Sequence, residues 1–360
     1  MKTIGILSEN TTSNEQRAPL TPENILNLCK LTPKTTFVIQ PSSNRIFKDY
    51  EYKKSNCIVS NKLSDCDIIL GIKRPAYEDI LPNKTYLFFS HCFKGQINSK
   101  PLLKDLKLKN CTLIDYELLT DDNGKRLLGF GKWAGIGGAN LALQSITGNN
   151  LNSKNSYLEP QALPHPIKIL LTGKGSVAQG VTVALKKLNI EQINNQETFN
   201  NYQDSCFIQI DYPEMQTSLP LLIKQTNLLI VGHYWDGKRP PLFTISDLKQ
   251  YQNLKLIADI TCDINGSIPS TIRESTLSNP FYYIDKNTGK ETTAASDNSI
   301  QIMAVPNLPN LLAKEASADF GSKLSSLVIP KLASDKASKL IEKATILKKG
   351  KLQPRFAHLL

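Results

Sequence analysis

Lys73 and His91 each close a short apolar run, residues 68–72 and 86–89. Both runs are β-rich and bounded by turn residues, the pattern of a buried strand. Two such strands, parallel in one sheet, would put both side chains at its C-terminal edge, where open α/β sheets bind ligands. An amine beside an imidazole suits proton-transfer chemistry. The plainer alternative is a surface lysine after one strand and a histidine that caps the next. Arg17 falls in the loop between the first strand and the first helix, at the same edge. Glu117 ends a later strand, and Asp122-Asn123-Gly124 forms a tight turn that delivers Lys125 and Arg126. A solvated turn arginine at Arg126 and a structural Glu117–Lys132 pair are the competing readings. A Cys92–His91 couple is set aside, because neighbours along a strand point to opposite faces.

A second constellation is Gly173-Lys174-Gly175-Ser176-Val177-Ala178-Gln179-Gly180. It follows a strand at 167–172 and opens a helix. Glycines so placed let the backbone approach a dinucleotide pyrophosphate, whose charge suits the helix N-terminus. The spacing is GxGxxxxG rather than GxGxxG, and a tight βα turn with nothing bound is the alternative. A ribose-binding acid, or an arginine for the phosphate of NADP, is expected about 20 residues beyond the first glycine. The stretch 190–196 offers Asn194 and Asn195 there and no basic residue. That predicts weak discrimination between NAD and NADP, leaning to NAD.

Such residues need sheets to hold them. Strands are expected at 3–7, 36–40 and 111–116 around the Lys73 and His91 runs. Thr21-Pro22-Glu23 starts a helix, with threonine as N-cap and proline at the first helical position. The small residues 134–139 open a helix that bridges two domains, and 149–166 reads as a polar linker. Further strands fall at 206–210, 228–231, 256–260 and 301–305, with a β-hairpin over FYYIDKNTGKETT. Asp259 lies at the end of one of them. Helices are expected at 311–328 and 337–348, returning to the first domain. The pattern predicts an α/β chain with a substrate domain of residues 1–133 plus 310–360 and a nucleotide domain of 134–309.

The chain has 360 residues, 40% of them hydrophobic, enough for two packed cores. No apolar run approaches the ~20 residues that span a membrane. The N-terminus shows no signal-peptide pattern. Seven scattered cysteines, with no CxxC spacing, argue for a reducing cytoplasm and against a disulfide framework or a metal site. The formal charge of +11 favours anionic partners. Basic residues are spread out and no RNA-binding aromatic motif appears, which argues against nucleic acid. Small polycarboxylates remain compatible with the charge. Monomer and homo-oligomer are both open.

The segments EQRAPLTPENI, ILGIKRP, FFSHCFKGQ, LIDYELLTDDNGKRLLGFGKWAGIGG, ADITCDINGSI and NLPNLLAKEAS resemble the lysine–ketoglutarate reductase and lysine-forming saccharopine dehydrogenase family, to which the alanine dehydrogenases are more distantly related. The resemblance implies two Rossmann-like domains with the active site in an interdomain cleft and NAD or NADP on the second domain. It matches Lys73 and His91 to catalytic residues, and Arg17 and Glu117 to residues that hold the substrate. Arg74 and Arg126 join them as carboxylate-binding candidates. Gly173, Gly175, Ser176, Val177 and Gly180 match the cofactor turn, with Asn194, Asp259 and Asn307 as further cofactor candidates. One departure stands out: Pro306-Asn307-Leu308-Pro309 replaces the family's Asp-Asn-Leu-Pro. The implied reaction interconverts saccharopine with L-lysine and 2-oxoglutarate. A smaller amino-acid substrate, as in alanine dehydrogenase, and a non-catalytic nucleotide-binding relative are the alternatives.

Overall fold

The computed structural model describes residues 2–9, 14–94, 99–148, 165–212, 214–293, 295–334 and 336–360. The expected linker at 149–166 lies outside them, except for its last two positions. The chain forms two units, Met1–Gly129 with Ala313–Leu360, and Phe130–Leu312.

In the first unit six short runs, apolar toward their C-terminal ends, pair in parallel. They are β1 (Lys2–Ile6), β2 (Thr35–Ile39), β3 (Ile58–Val59), β4 (Ile68–Leu70), β5 (Thr85–Phe88) and β6 (Thr112–Asp115). Their order, β3-β2-β1-β4-β5-β6, is the doubly wound one, with its switch point between β1 and β4. Helices α1 (Pro22–Leu31), α2 (Asp49–Lys54) and α3 (Ser99–Leu108) lie among the connections. Thr21 caps α1: its Oγ1 accepts from Asn24 N at 3.2 Å, and Thr21 N donates to Asn24 Oδ1 at 2.9 Å. The strands carrying Lys73 and His91 are in register, Ile68 with Thr85 and Leu70 with Leu87. β4 ends two residues before the end of its apolar run, so Lys73 stands just past the sheet.

The second unit opens with α4 (Gly131–Thr147), then alternates β7 (Lys168–Thr172), α5 (Ser176–Lys187), β8 (Glu191–Ile193), α6 (Gln196–Asn201) and β9 (Cys206–Ile210). α7 (Glu214–Thr217), α8 (Leu219–Leu222), β10 (Leu228–Val231), β11 (Leu256–Asp259), the β12 (Phe281–Asp285) and β13 (Glu291–Thr292) hairpin, and β14 (Ser299–Met303) follow. The sheet order is β8-β9-β7-β10-β11-β14-β12-β13. Alternation along β7 serves two cores: Ile169 and Leu171 pack with α4 and α5 residues, Leu170 with the opposite layer. Two glycines set the α4–α5 approach. A Cβ on Gly135 would lie 2.0 Å from the Val177 carbonyl oxygen, and one on Gly180 2.0 Å from that of Lys132.

The chain then returns to the first unit through α9 (Ala313–Leu327), α10 (Ile329–Ala333) and α11 (Lys339–Ala344). A helix was expected over 337–348, but its last four residues are β15 (Thr345–Lys348), antiparallel to β6. β15 turns through Lys349 and Gly350, φ +47° and +71°, into β16 (Lys351–Leu352). Two positive-φ residues make the twisted two-residue turn that hairpins favour, and the fully buried Ile346 and Leu347 hold the strand.

Candidate active site

The loop after β1 brings an acid to the first sheet's switch point. Glu9 accepts from the backbone N–H of Ile72 and, at 3.1 Å, from that of Lys73. Burial, with the nearby Glu15 charge, outweighs those bonds and pushes its carboxyl up to about 7. Glu15, buried, grips Arg17 in a fork: Nε donates to Oε1 at 2.7 Å and Nη2 to Oε2 at 2.6 Å. Lys73 Nζ lies 3.7 Å from the same Oε2. Burial would raise the Glu15 pKa, but the bonds and charge of Arg17, with the Lys73 ammonium, hold it below the ordinary carboxylate value. The Arg17 loop is pinned to α9, where Ala18 N donates to Ser317 Oγ at 2.9 Å.

One strand over, His91 sits at φ +55°, unusual for a residue with a side chain and frequent where function fixes the backbone. The buried Asp115 organises this turn. Its Oδ2 accepts from Ser90 Oγ and, at 3.2 Å, Ser90 N; its Oδ1 accepts from Glu117 N at 2.8 Å. The Glu117 carboxylate is thereby aimed at an imidazole and a guanidinium, 3.0 Å from His91 Nδ1 through Oε2 and 3.0 Å from Arg126 Nη2 through Oε1. Arg126 comes from the expected turn, in which Asp121 Oδ1 accepts from Asn123 N and Lys125 N. Phe89 stacks on the His91 ring, and Tyr116 and Phe320 of α9 pack around Phe89. Cys92 is fully buried, its thiol pushed up by burial. Arg74 is exposed and donates to the Tyr77 hydroxyl at 2.9 Å. A cavity of about 620 Å³ opens at the ends of β1, β2 and β4, with Glu9, Gln40, Lys73 and Arg74 in its lining.

All six unit-one candidates therefore lie at or near one sheet edge, five of them in two sets, Lys73 with Glu15–Arg17 and His91 with Glu117–Arg126, while Arg74 pairs with Tyr77. Glu9, Glu15 and Asp115 were missed from sequence. Glu9 was signalled only by its place after the first strand, and Glu15 by lying two residues before Arg17.

In the second unit the glycine turn follows β7. Gly173 adopts φ +90°, and a Cβ there would lie 2.7 Å from His233 Cα. Gly175 is the N-cap of α5, with no capping side chain, and a Cβ there would meet nothing within 4 Å. That open cradle before the free N–H groups of a twelve-residue helix fits a dinucleotide pyrophosphate. His233 follows β10, across the switch point. It is 3% exposed, its Nδ1 meets Thr172 Oγ1 at 2.8 Å, and its buried Nε2 has no partner among the described residues. Burial pushes the imidazole down to about 4. Ser176 is exposed at the turn and Val177 partly buried.

Three sequence-derived cofactor residues stand elsewhere. Gly180 is inside α5, where it admits α4. Asp259 is fully buried and consumed by its own loop, accepting from Thr261 N, Thr261 Oγ1, Cys262 N and Thr271 Oγ1. Asn194 is exposed after β8, two strands away from β7. Pro306 is exposed, and Asn307 is partly buried ahead of the 3-10 turn Leu308–Leu312. No group of metal-ligating side chains occurs among the described residues, and none of their helices is long and apolar enough to cross a membrane.

Two doubly wound units, one with an acid–base edge and one with a glycine cradle, define a Rossmann-like α/β protein. The fold matches that of L-alanine dehydrogenase with a TM-score of 0.72 over 99% of this chain and 98% of that one, at 17% identity. The family model "Alanine dehydrogenase/PNT, N-terminal domain" matches residues 5–137. The chain is 30% identical to the alpha-aminoadipic semialdehyde synthase of Arabidopsis thaliana, over 99% of its own length and 41% of that protein. It is 27% identical to the mitochondrial enzyme of that name from Mus musculus, over 99% and 47%. The chain thus spans less than half of these synthases. A saccharopine dehydrogenase (NAD+, L-lysine-forming) of Neurospora crassa is 24% identical, over 89% of both chains. The chain is thus similar to alpha-aminoadipic semialdehyde synthases and to a lysine-forming saccharopine dehydrogenase, and it shares the fold of alanine dehydrogenase.

Proposed function

We propose that this chain is a nicotinamide-dependent oxidoreductase of the CH–NH bond that interconverts saccharopine with L-lysine and 2-oxoglutarate. The observation that carries the reading is the pairing, at neighbouring strand ends, of two proton-transfer groups each beside its own glutamate–arginine pair. Saccharopine holds three carboxylates and a secondary amine. Lys73 takes the proton of that amine, so that the glutamyl α-carbon can release hydride. The nicotinamide, when bound, accepts that hydride. Water then adds to the imine, with His91 moving the proton and Glu117 holding the imidazole through Nδ1. Departure of lysine leaves the 2-oxoglutarate carbonyl. Arg74 and Arg126, exposed at this edge, take carboxylates in fork geometry, while Arg17 is held by Glu15 and steadies Lys73 through it. Gly173, Gly175, Ser176 and Val177 receive the cofactor, NAD favoured over NADP.

Nicotinamide absorbance tests this with saccharopine, with lysine plus 2-oxoglutarate, and with alanine or pyruvate. Turnover is expected with the first two. Lys73→Met and His91→Gln should each slow it roughly 10²–10⁴-fold without changing dinucleotide affinity. Turnover with alanine alone would select the alanine-dehydrogenase reading. Dinucleotide binding without any hydride transfer would select a non-catalytic relative.

A further inference from the structure

We propose that a row of exposed lysines along α3 and the β15–β16 turn is a docking surface for an acidic segment of another protein. Dinucleotide binding and turnover play no part in it. α3 buries Leu102, Leu103 and Leu106 in the core that also takes Ile346 and Leu347 of β15. Its opposite side carries Lys100, Lys104 and Lys107, all exposed. They are spaced four and three residues apart, so they share one face of the helix. Leu108, 85% exposed, ends the row. The β15–β16 turn then extends it. Gly350 N donates to Cys111 O at 2.8 Å, and Lys349 N to Thr112 Oγ1 at 3.0 Å. A Cβ on Gly350 would lie 2.9 Å from the Lys107 carbonyl oxygen. The turn is thus seated on the end of α3, where it presents Lys348, Lys349 and Lys351, again all exposed.

This arrangement carries a cost within the chain. Like charges destabilise when they stand four residues apart on a helix or directly opposite in a strand pair. Lys100 with Lys104 is the first case, and Lys348 in register with Lys351 is the second. Lys100 also stands in the first turn of α3, which holds no acid and where the helix dipole disfavours a cation. Among the described residues no carboxylate forms an ion pair with any of the six lysines. Asp105, the acid of α3, is 3.2 Å from Lys109 instead, about 100° round the helix from Lys104. Solvated lysines at a helix C-terminus or on an edge strand are ordinary, and Lys107 and Lys351 fit that description. Lys100 and the facing Lys348–Lys351 pair do not.

A file of carboxylates on a partner relieves the repulsion and supplies the missing counter-charge. Along α3 the charges lie in a line rather than over a broad plane. That suits an extended acidic segment better than a lipid surface, and Leu108 offers the segment one apolar contact. Because every cation in the row is exposed, the contact is sensitive to salt.

The test is fluorescence anisotropy of a labelled peptide of aspartate and glutamate with one central leucine, titrated with the complete chain. The native chain should bind it at low salt, and binding should fade as salt is raised. Lys100→Gln/Lys104→Gln/Lys107→Gln keeps helix propensity and should weaken binding at least about tenfold. Lys348→Gln/Lys351→Gln should weaken it several-fold. A control that removes three exposed lysines elsewhere, Lys224→Gln/Lys249→Gln/Lys255→Gln, should stay within about twofold of the native chain, since it changes only the general field. Without peptide, the α3 variant should melt no lower than the native chain, because a repulsion has been removed. A native chain that ignores the peptide, an α3 variant that binds it unchanged, or a control that loses as much affinity as the α3 variant overturns the proposal. So does capture of phosphatidylserine–phosphatidylcholine vesicles in preference to the peptide, which would assign the row to a lipid surface.

Discussion

His233 shows how a single residue carries both structure and pH response. Its imidazole is buried beside the glycine turn and its pKa lies near 4, against an ordinary 6.5. Burial is the main cause; the charge of Arg239 adds to it and that of Asp211 opposes it. Folding therefore favours the neutral ring. The stability this contributes is present above pH 6.5 and is lost as pH falls from 6.5 through 4, because the unfolded chain binds the proton first. A shift of this size is worth about 3 kcal/mol by linkage. Urea midpoints of the native chain should fall over that window, and His233→Gln should lack this component of the fall. An identical acid profile in the two proteins would remove His233 as its source. At the other edge, Asp115 positions residues rather than substrate: it bonds both the turn before His91 and the turn that carries Glu117.

The element that tolerates least change is the α4–α5 pair. Both glycines at the crossing face backbone rather than flexible side chains, so neither helix can relax around an added methyl group without moving. Gly135→Ala sets a Cβ 2.0 Å from the Val177 carbonyl oxygen. Ordinarily alanine is the better helix former by about 1 kcal/mol. Here the clash reverses the sign, and a net loss of about 1–3 kcal/mol is expected, as for overpacking in other cores. Because α5 starts at the glycine cradle, dinucleotide affinity should fall along with the denaturation midpoint. A stabilised Gly135→Ala protein would show that the helices separate freely. In the first unit α9 plays the matching part. A Cβ on Gly321 would lie 2.1 Å from Asn24 Oδ1, so the late helix packs closely on the start of α1.

For the molecule as a whole, the formal charge of +11 makes the field around the chain attractive to polycarboxylates. Exposed charges are screened beyond about 10 Å at 0.1 M ionic strength. Raising salt from roughly 0.02 to 0.3 M should then raise KM for saccharopine, the proposed substrate, several-fold through slower capture, while kcat stays within about twofold. A KM indifferent to salt would confine substrate recognition to the paired groups at the sheet edge. Each unit places its candidate site at the switch point of its own sheet, between β1 and β4 in one and between β7 and β10 in the other. After β1 the first carries Glu9 and the Glu15–Arg17 pair in place of a glycine turn. The second keeps the glycines.

Sequence by itself determined the local features. Apolar runs fixed the strands before Lys73, His91 and Glu117, because a buried strand must be continuous and apolar. The threonine-proline start of α1 and the glycine turn at 173–175 were legible because their chemistry is confined to a few adjacent residues. The β15–β16 hairpin was not, since its β-branched run sits among lysines that also suit a helix face. Partners across the chain were hidden as well. Nothing near Asp259 in sequence announces that Thr271 closes over it, nor that Glu117 meets both His91 and Arg126. Strand order was the deepest omission. A chain states which strand comes next, but hydrogen bonding between distant segments decides which strand lies alongside, and that choice set β9, with Asp211 at its end, beside the glycine turn.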